Sequence, residues 1–457
     1  MKRLTLFSVL ALAPLLAYAQ ADFVLHNARI YTVDEAQPMA QALAVRGERI
    51  LMVGSDAQVL GAYPEAERRD AGGRAVIPGL IDAHAHLMGQ GVAMLQVDLV
   101  GTGSVGEIIE RMRDFEQTLP AGAWLTGRGW DQNDWPAAAD GTHPFPTRQD
   151  LDAAFPDRPV WLRRIDGHAA WANTAALRAV GLEVLAGMDD PEGGQIIRDA
   201  QGQPTGVFID TAMGYVGSKA PGFTDAQYAQ ALQLAIGEAV RLGLTGVHDA
   251  GIDRAEVELY QQAIDAGRFD LRLYGMIGGA GATFDHFCRE GLIYDYGGKL
   301  TVRSVKLYMD GALGSRGAAL LAPYSDDPGN VGLLREPPET FEQKVRRALA
   351  CGLQINTHAI GDRGNRVVLD AYEAGFRDLG RGPGRHRIEH AQIVALEDIP
   401  RFADLGLIAS MQPTHATSDM YWAEDRVGAE RARGAYAWRA LLDAGARLAF
   451  GSDFPVE

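Results

Sequence analysis

From Val76 to Asp453 the chain alternates short apolar runs with longer runs of helical periodicity, and this alternation is what most constrains its fold. The strand-like runs are Val76–His86, Thr245–Asp249, Leu271–Ile277, Val302–Met309, Gln354–His358, Arg387–His390, Leu407–Gln412 and Arg447–Asp453. Helical runs separate them. In Asp225 to Leu242, Ala229, Leu232, Ala235, Ile236 and Val240 return at helical intervals. Further helices are predicted at Arg254 to Ala266, Thr340 to Ala350 and Arg366 to Leu379, and near Arg433 to Ala444. Eight β-then-α repeats predict an α/β protein, a parallel (β/α)8 TIM barrel over 76–457. An open sheet is disfavoured because no dinucleotide-type glycine fingerprint opens the series. In such a barrel the chemistry sits at the carboxyl ends of the strands.

Two segments stand outside the repeat. Residues 22–75 read as short strands with a hairpin at Arg46-Gly47-Glu48, a small antiparallel unit that forms part of a β-sandwich. Between barrel strands one and two lie about 130 residues of mixed pattern, more than one crossover needs. They are read as an inserted lobe, about 98–222. The chain stops at Glu457, four residues past Asp453, so an eighth helix and further sandwich strands are expected beyond it. The sequence therefore reads as C-terminally truncated.

Hydrophobic residues make up 47% and charged residues 22% of the 457, and the formal net charge is -16. That balance argues against a nucleic-acid partner and against anionic membrane surfaces. Met1-Lys2-Arg3, an apolar stretch to Ala17 and small-x-small sites at Ala17–Ala19 and Ala19–Ala21 predict a signal peptide over 1–21. The mature protein is then periplasmic or secreted, with no membrane association after cleavage. Only Cys288 and Cys351 are present, so no disulfide framework is expected and both read as buried free thiols.

His84 and His86 are two residues apart at the end of the first strand, so they project to one face. Strand four carries Lys306, strands five and six end at His358 and His390, and strand eight ends at Asp453. Four histidines and a carboxylate exceed a single tetrahedral zinc site, so two metal ions are plausible. An ammonium cannot ligate a metal. Reaction of the Lys306 amine with CO2 would give an anionic carbamate able to bridge two cations.

The segments Pro78–His86, Val305–Gly311, Thr357–Asp362, Arg387–Gln392 and Gly451–Pro455 closely resemble the amidohydrolase superfamily, in particular amidohydrolase family three with its N-substituted formamide deformylases. The resemblance runs from about Asp22 to the end of the chain. It implies a binuclear site, with zinc as the expected ion, in which His84, His86 and Asp453 hold one metal and His358 and His390 the other. Carbamylated Lys306 and a hydroxide would bridge them. The implied reaction is hydrolysis of a C–N bond in a small-molecule, non-peptide amide, with Asp453 as catalytic base and then acid. Trp130, Asp131 and His168 in the lobe, and Asp310 and Arg316 after strand four, are candidate substrate contacts. For each of them packing or turn roles compete. His248, Gln412 and His415 read more simply as buried, hydrogen-bonded groups. A deaminase of a cyclic or aromatic amine and a non-catalytic secreted regulatory protein are the competing functions. The expected partner is a small-molecule amide, with a homodimer as a compatible assembly.

Overall fold

The computed structural model describes residues 20–119, 122–139, 141–181, 187–191, 194–382 and 384–456, so the predicted signal peptide falls almost wholly outside the described residues. The chain divides into two compact units, one ending at Leu80 and the other spanning Ile81–Glu457.

In the first unit Asn27, with φ of 52°, splits the segment read as one strand into Phe23–His26 and Arg29–Tyr31, which join different sheets. Strand alternation then sends Leu25, Leu43 and Val53 towards Ile30, Ala40 and Val76 between the two sheets. Val24, Ala42 and Ala44 face the helix Asp56–Ala62 on the other side. The hairpin at Gly47 forms as expected. The unit is not purely antiparallel, because Glu67–Asp70 pairs in parallel with Phe23–His26. The exposed run Glu67-Arg-Arg-Asp70 carries no apolar signal that could have marked it as a strand.

In the second unit the eight barrel strands are β1 (Leu80–Ala85), β2 (Leu244–Ile252), β3 (Arg272–Gly278), β4 (Leu300–Tyr308), β5 (Gln354–Ala359), β6 (Arg387–His390), β7 (Ile408–Met411) and β8 (Arg447–Phe450). They are hydrogen-bonded in sequence order, and the paired neighbours are parallel where registers are defined. A short antiparallel strand, Ile293–Tyr296, pairs outside this path with β4. The predicted helices appear at Asp225–Arg241, Arg254–Asp265 and Pro338–Ala350, while the next begins a turn early, at Asp362. One continuous core lies between strands and helices.

The barrel is closed between β8 and β1 by the segment that follows β8. Asp453 N–H donates to His84 O at 2.8 Å, and His86 N–H donates to Phe454 O at 2.8 Å. Buried Asp82 accepts from the Ser452 hydroxyl at 2.6 Å and from His84 N–H at 3.1 Å. A Cβ at Gly451 would stand 2.4 Å from His84 N, so only glycine permits this approach.

The inserted lobe has a six-stranded sheet of its own. Its order is Gly194–Arg198, Pro204–Asp210, Ala169–Ala172, Val160–Arg164, Leu125–Trp130 and Val97–Asp98. Hydrophobic clusters form around Trp130 and Trp171 and around Trp161 and Phe208.

The cysteines differ from expectation. Cys288, on the helix Ala282–Glu290, and Cys351, at the end of Pro338–Ala350, form a disulfide with Cα atoms 5.4 Å apart. Both are half-buried. Sequence spacing could not reveal the pair, because 63 residues separate them and only the barrel makes their helices adjacent. The denatured, unreduced protein is therefore expected to show no reactive thiol, and two after reduction. Thiol titration checks this. Cys288→Ser should lower stability by about 2–4 kcal/mol through the lost cross-link, read by denaturant unfolding.

Candidate metal centre

The predicted ligands converge at the carboxyl ends of the strands. His84, Lys306, His390 and Asp453 are buried, His358 is largely so, and His86 is the most open, its side chain 32% exposed. Asp453 Oδ1 lies 3.1 Å from His86 Nε2 and 3.5 Å from His84 Nε2, and Lys306 Nζ lies 2.9 Å from His84 Nε2. The ring centroid of His390 is 5.0 Å from that of His84 and 4.4 Å from that of His358. His390 and Asp453 take left-handed backbone conformations, with φ of 72° and 63°. Such non-glycine geometry costs on the order of 1–3 kcal/mol each and persists where the surroundings enforce it.

Second partners choose which ring nitrogen faces inward. Glu389 Oε2 accepts from His84 Nδ1–H at 2.5 Å, and Gln412 Oε1 accepts from His390 Nδ1–H at 2.8 Å. Each ring then presents the Nε2 lone pair, as metal-ligating imidazoles do. Burial and the Lys306 charge lower the His84 pKa to about 4. Burial likewise keeps His358 and His390 far below the ordinary histidine value. All three are neutral donors. Burial brings Lys306 down to about 8, so its amine is readily deprotonated. Although burial opposes charge on Glu389, the neighbouring Arg387 and His84 hold its pKa down to about 2. Arg387 Nε lies 2.8 Å from Glu389 Oε1.

Nε2 of His358, Nε2 of His415 and Oδ1 of Asp453 are buried without a hydrogen-bond partner. Buried polar atoms are rarely left so, and three in one imidazole–carboxylate cluster fit ligation of a divalent cation. Among the described residues, two groups have their donor atoms within 4.8 Å of one another: His84, His86 and Asp453, and His390, His415 and Asp453. The first matches the expected trio. The second contains His415 where His358 was expected, and the His415 ring stacks parallel to His390 at 5.9 Å. The sequence reading undervalued His415 because it lies past the end of β7, on the helix Pro413–Asp419. Glu389 and Gln412 were visible in the same motifs, but their orienting roles depend on cross-strand geometry.

A profile of the Amidohydrolase family matches residues 67–457. The chain belongs to the amidohydrolase family. It is 31% identical to the N-substituted formamide deformylase of Arthrobacter pascens, over 95% of this chain and 81% of that protein. It is 35% identical to Protein LONG AFTER FAR-RED 3 of Arabidopsis thaliana, over 95% of this chain and 76% of that protein. It also resembles the crystal structure of an uncharacterized metal-dependent hydrolase from Pyrococcus horikoshii, with a TM-score of 0.77 and 28% identity over 95% of this chain and 83% of that one. This amidohydrolase is a metal-dependent hydrolase on a TIM barrel.

Most of the expected substrate contacts have other work. Trp130 is fully buried in the lobe core and its indole N–H donates to Leu162 O at 3.1 Å. Asp131 pairs with Arg164 and accepts from Asn133 N–H at 2.8 Å. Asp310 is buried and accepts from Ala319, Ile360 and Gly361 N–H at 2.8–2.9 Å, tying the loops after β4 and β5 together. Arg316 pairs with Asp326 at 2.9 Å within the long loop after β4. These four thus have partners within the lobe and the loops, and Asp310 Oδ1 also lies 3.7 Å from His358 Nε2. His168 stays partly open, with Nδ1 2.7 Å from Asp210. His248 is a hydrogen-bonded group, 3.1 Å from Arg387 Nη1.

Replacing Gln412 with Leu leaves the His390 Nδ1–H without an acceptor. Metal affinity should fall about 10–100-fold, measured by chelator competition, while the far-ultraviolet spectrum is retained.

Proposed function

We propose that this amidohydrolase cleaves the C–N bond of a small, non-peptide amide. The observation that carries the reading is the gathering of His84, His86, His390 and His415 around Asp453 beside the deprotonatable, buried Lys306 amine. His84, His86 and Asp453 would hold one divalent ion, with zinc as the expected element. His390 with His358 and His415 would hold a second. Lys306, carbamylated by CO2 with loss of a proton from Nζ, would add an anionic oxygen ligand to both. When bound, such ions supply Lewis acidity that acidifies water and polarises a carbonyl.

The chain's own groups do the rest. Although burial works against charge on Asp453, the surrounding histidines hold its pKa well below the usual carboxylate range, so the carboxylate is available as a base. It takes a proton from the attacking water and returns it to the leaving nitrogen. The products are a carboxylic acid and an amine. Glu389 and Gln412 hold the histidine rings so that this geometry is ready before substrate arrives. The similarity to a formamide deformylase supports N-substituted formamides as the first substrates to try. We also propose export from the cytoplasm. The basic-then-apolar start and the Cys288–Cys351 bond support an oxidising compartment.

The test is a screen of the zinc- and bicarbonate-supplied protein against formamides, acyl amino acids, cyclic amides and nucleobases. Amine release from amides is expected. Ammonia release from bases alone, or less than about one metal per chain, overturns the reading. Asp453→Asn should keep most of the metal and lose about 10²–10⁴-fold in kcat. Lys306→Ala should lose the bridging ligand, with partial recovery of activity in acetate.

A further inference from the structure

The metal centre opens onto a cavity of about 390 Å³, lined by His86, by Pro455 and Val456, by Asp249 and Glu256 on the barrel side, and by Arg128 and Arg163 of the lobe. That volume suits a ligand of amino-acid size. We propose that Arg128 and Arg163 form a carboxylate-binding subsite, so that the amide hydrolysed here carries a carboxylate beside the scissile bond, as an N-acyl amino acid does. This assignment rests on the amide-hydrolase reading above and narrows its substrate class.

The lobe's sheet places the two cations together. Leu125–Trp130 and Val160–Arg164 are parallel neighbours, and Arg128 is the register partner of Arg163. Their side chains therefore share one face, where like charges are unfavourable. Among the described residues neither arginine makes an ion pair. Arg128 donates to the carbonyls of Pro455 and Ile165, and Arg163 to Gly167 O at 3.3 Å. The carbonyls take these hydrogen bonds and leave both guanidinium groups without a carboxylate at ion-pair distance, although Asp166 acts on both from further away and Asp453 on Arg128. The next residue shows the contrast. Arg164 leaves the strand on the opposite side by alternation and makes direct ion pairs with Asp131 and Asp166.

The acids across the cavity do not supply the missing partner. Asp249 accepts from Tyr260 O–H at 2.7 Å and Leu87 N–H at 3.0 Å, and Glu256 accepts from Asp253 N–H at 2.8 Å. Burial and the charge of Arg163 lower the Arg128 pKa more than Asp166 and Asp453 raise it, and a bound anion would oppose that lowering. Paired guanidinium groups match a carboxylate through charge-assisted, often bidentate hydrogen bonds. Position ties the subsite to the chemistry, because Arg128 grips the carbonyl of Pro455, two residues beyond Asp453, and His86 lines the same cavity.

The experiment compares the metal-loaded protein on N-formyl-leucine and on N-formyl-3-methylbutylamine, the same amide without its carboxylate. The wild type should prefer the former by about tenfold or more in kcat/KM, chiefly through KM. Arg163→Gln should erase at least tenfold of that preference, and Arg163→Lys should keep part of it. Equal rates on both amides in the wild type, or an equal loss on both in Arg163→Gln, overturns the subsite and leaves the hydrolase standing. If neither amide is cleaved, binding decides. A rise in Tm with N-formyl-leucine but not the neutral amide, lost in Arg163→Gln, upholds the subsite while the amide-hydrolase reading falls. No difference in Tm overturns both.

Discussion

The closing seam between β1 and the segment after β8 is the constraint on which the rest depends. Asp453 is bound through its main chain to His84 O, and the Asp82 carboxylate clamps Ser452 beside it. The hydrogen bonds that complete the barrel are therefore the ones that bring the carboxylate ligand to the first histidine pair. Residues 369 positions apart in the chain, His84 and Asp453, become neighbours only when the sheet closes (453 less 84). Barrel closure and assembly of the site are one event.

Behind the ligands runs a chain of buried polar groups. Arg387 faces Glu389, Glu389 holds His84, and His84 meets Lys306. Taking such groups out of water is expensive, and a charge left alone there would cost several kcal/mol. The arrangement is tolerable because nearly every charge has a partner. Three of the buried atoms without a hydrogen-bond partner, on His358, His415 and Asp453, gather where cation ligation would satisfy them. Stability is conceded at this point in the fold, and the concession coincides with the chemistry.

The barrel was legible because strand and helix periodicities differ, and the predicted helix at Asp225 ends within a residue of the observed one. His84, His86, Lys306, His358, His390 and Asp453 were legible because each stands at or near a strand end. Where local pattern was silent, the reading failed. The polar strand Glu67–Asp70 has no alternation, the six-stranded lobe mixes parallel and antiparallel pairs, and the cysteine pair depends on helices 63 residues apart in sequence. Trp130 and Asp131 read as candidate substrate contacts because aromatic and acidic residues beside glycines serve both binding and packing. Trp130 is fully buried, and burial is a property of the assembled lobe.

By itself, the sequence determined the repeat architecture and marked candidate donor side chains at the strand ends, because periodicity and residue chemistry are local properties. The tertiary structure alone decided which nitrogen each imidazole turns inward, that His415 joins the cluster, and that Asp310 and Arg316 order loops. It alone set Arg128 beside Arg163 over the cavity next to His86. Those outcomes depend on distances between segments far apart in the chain, which only barrel closure and sheet register establish.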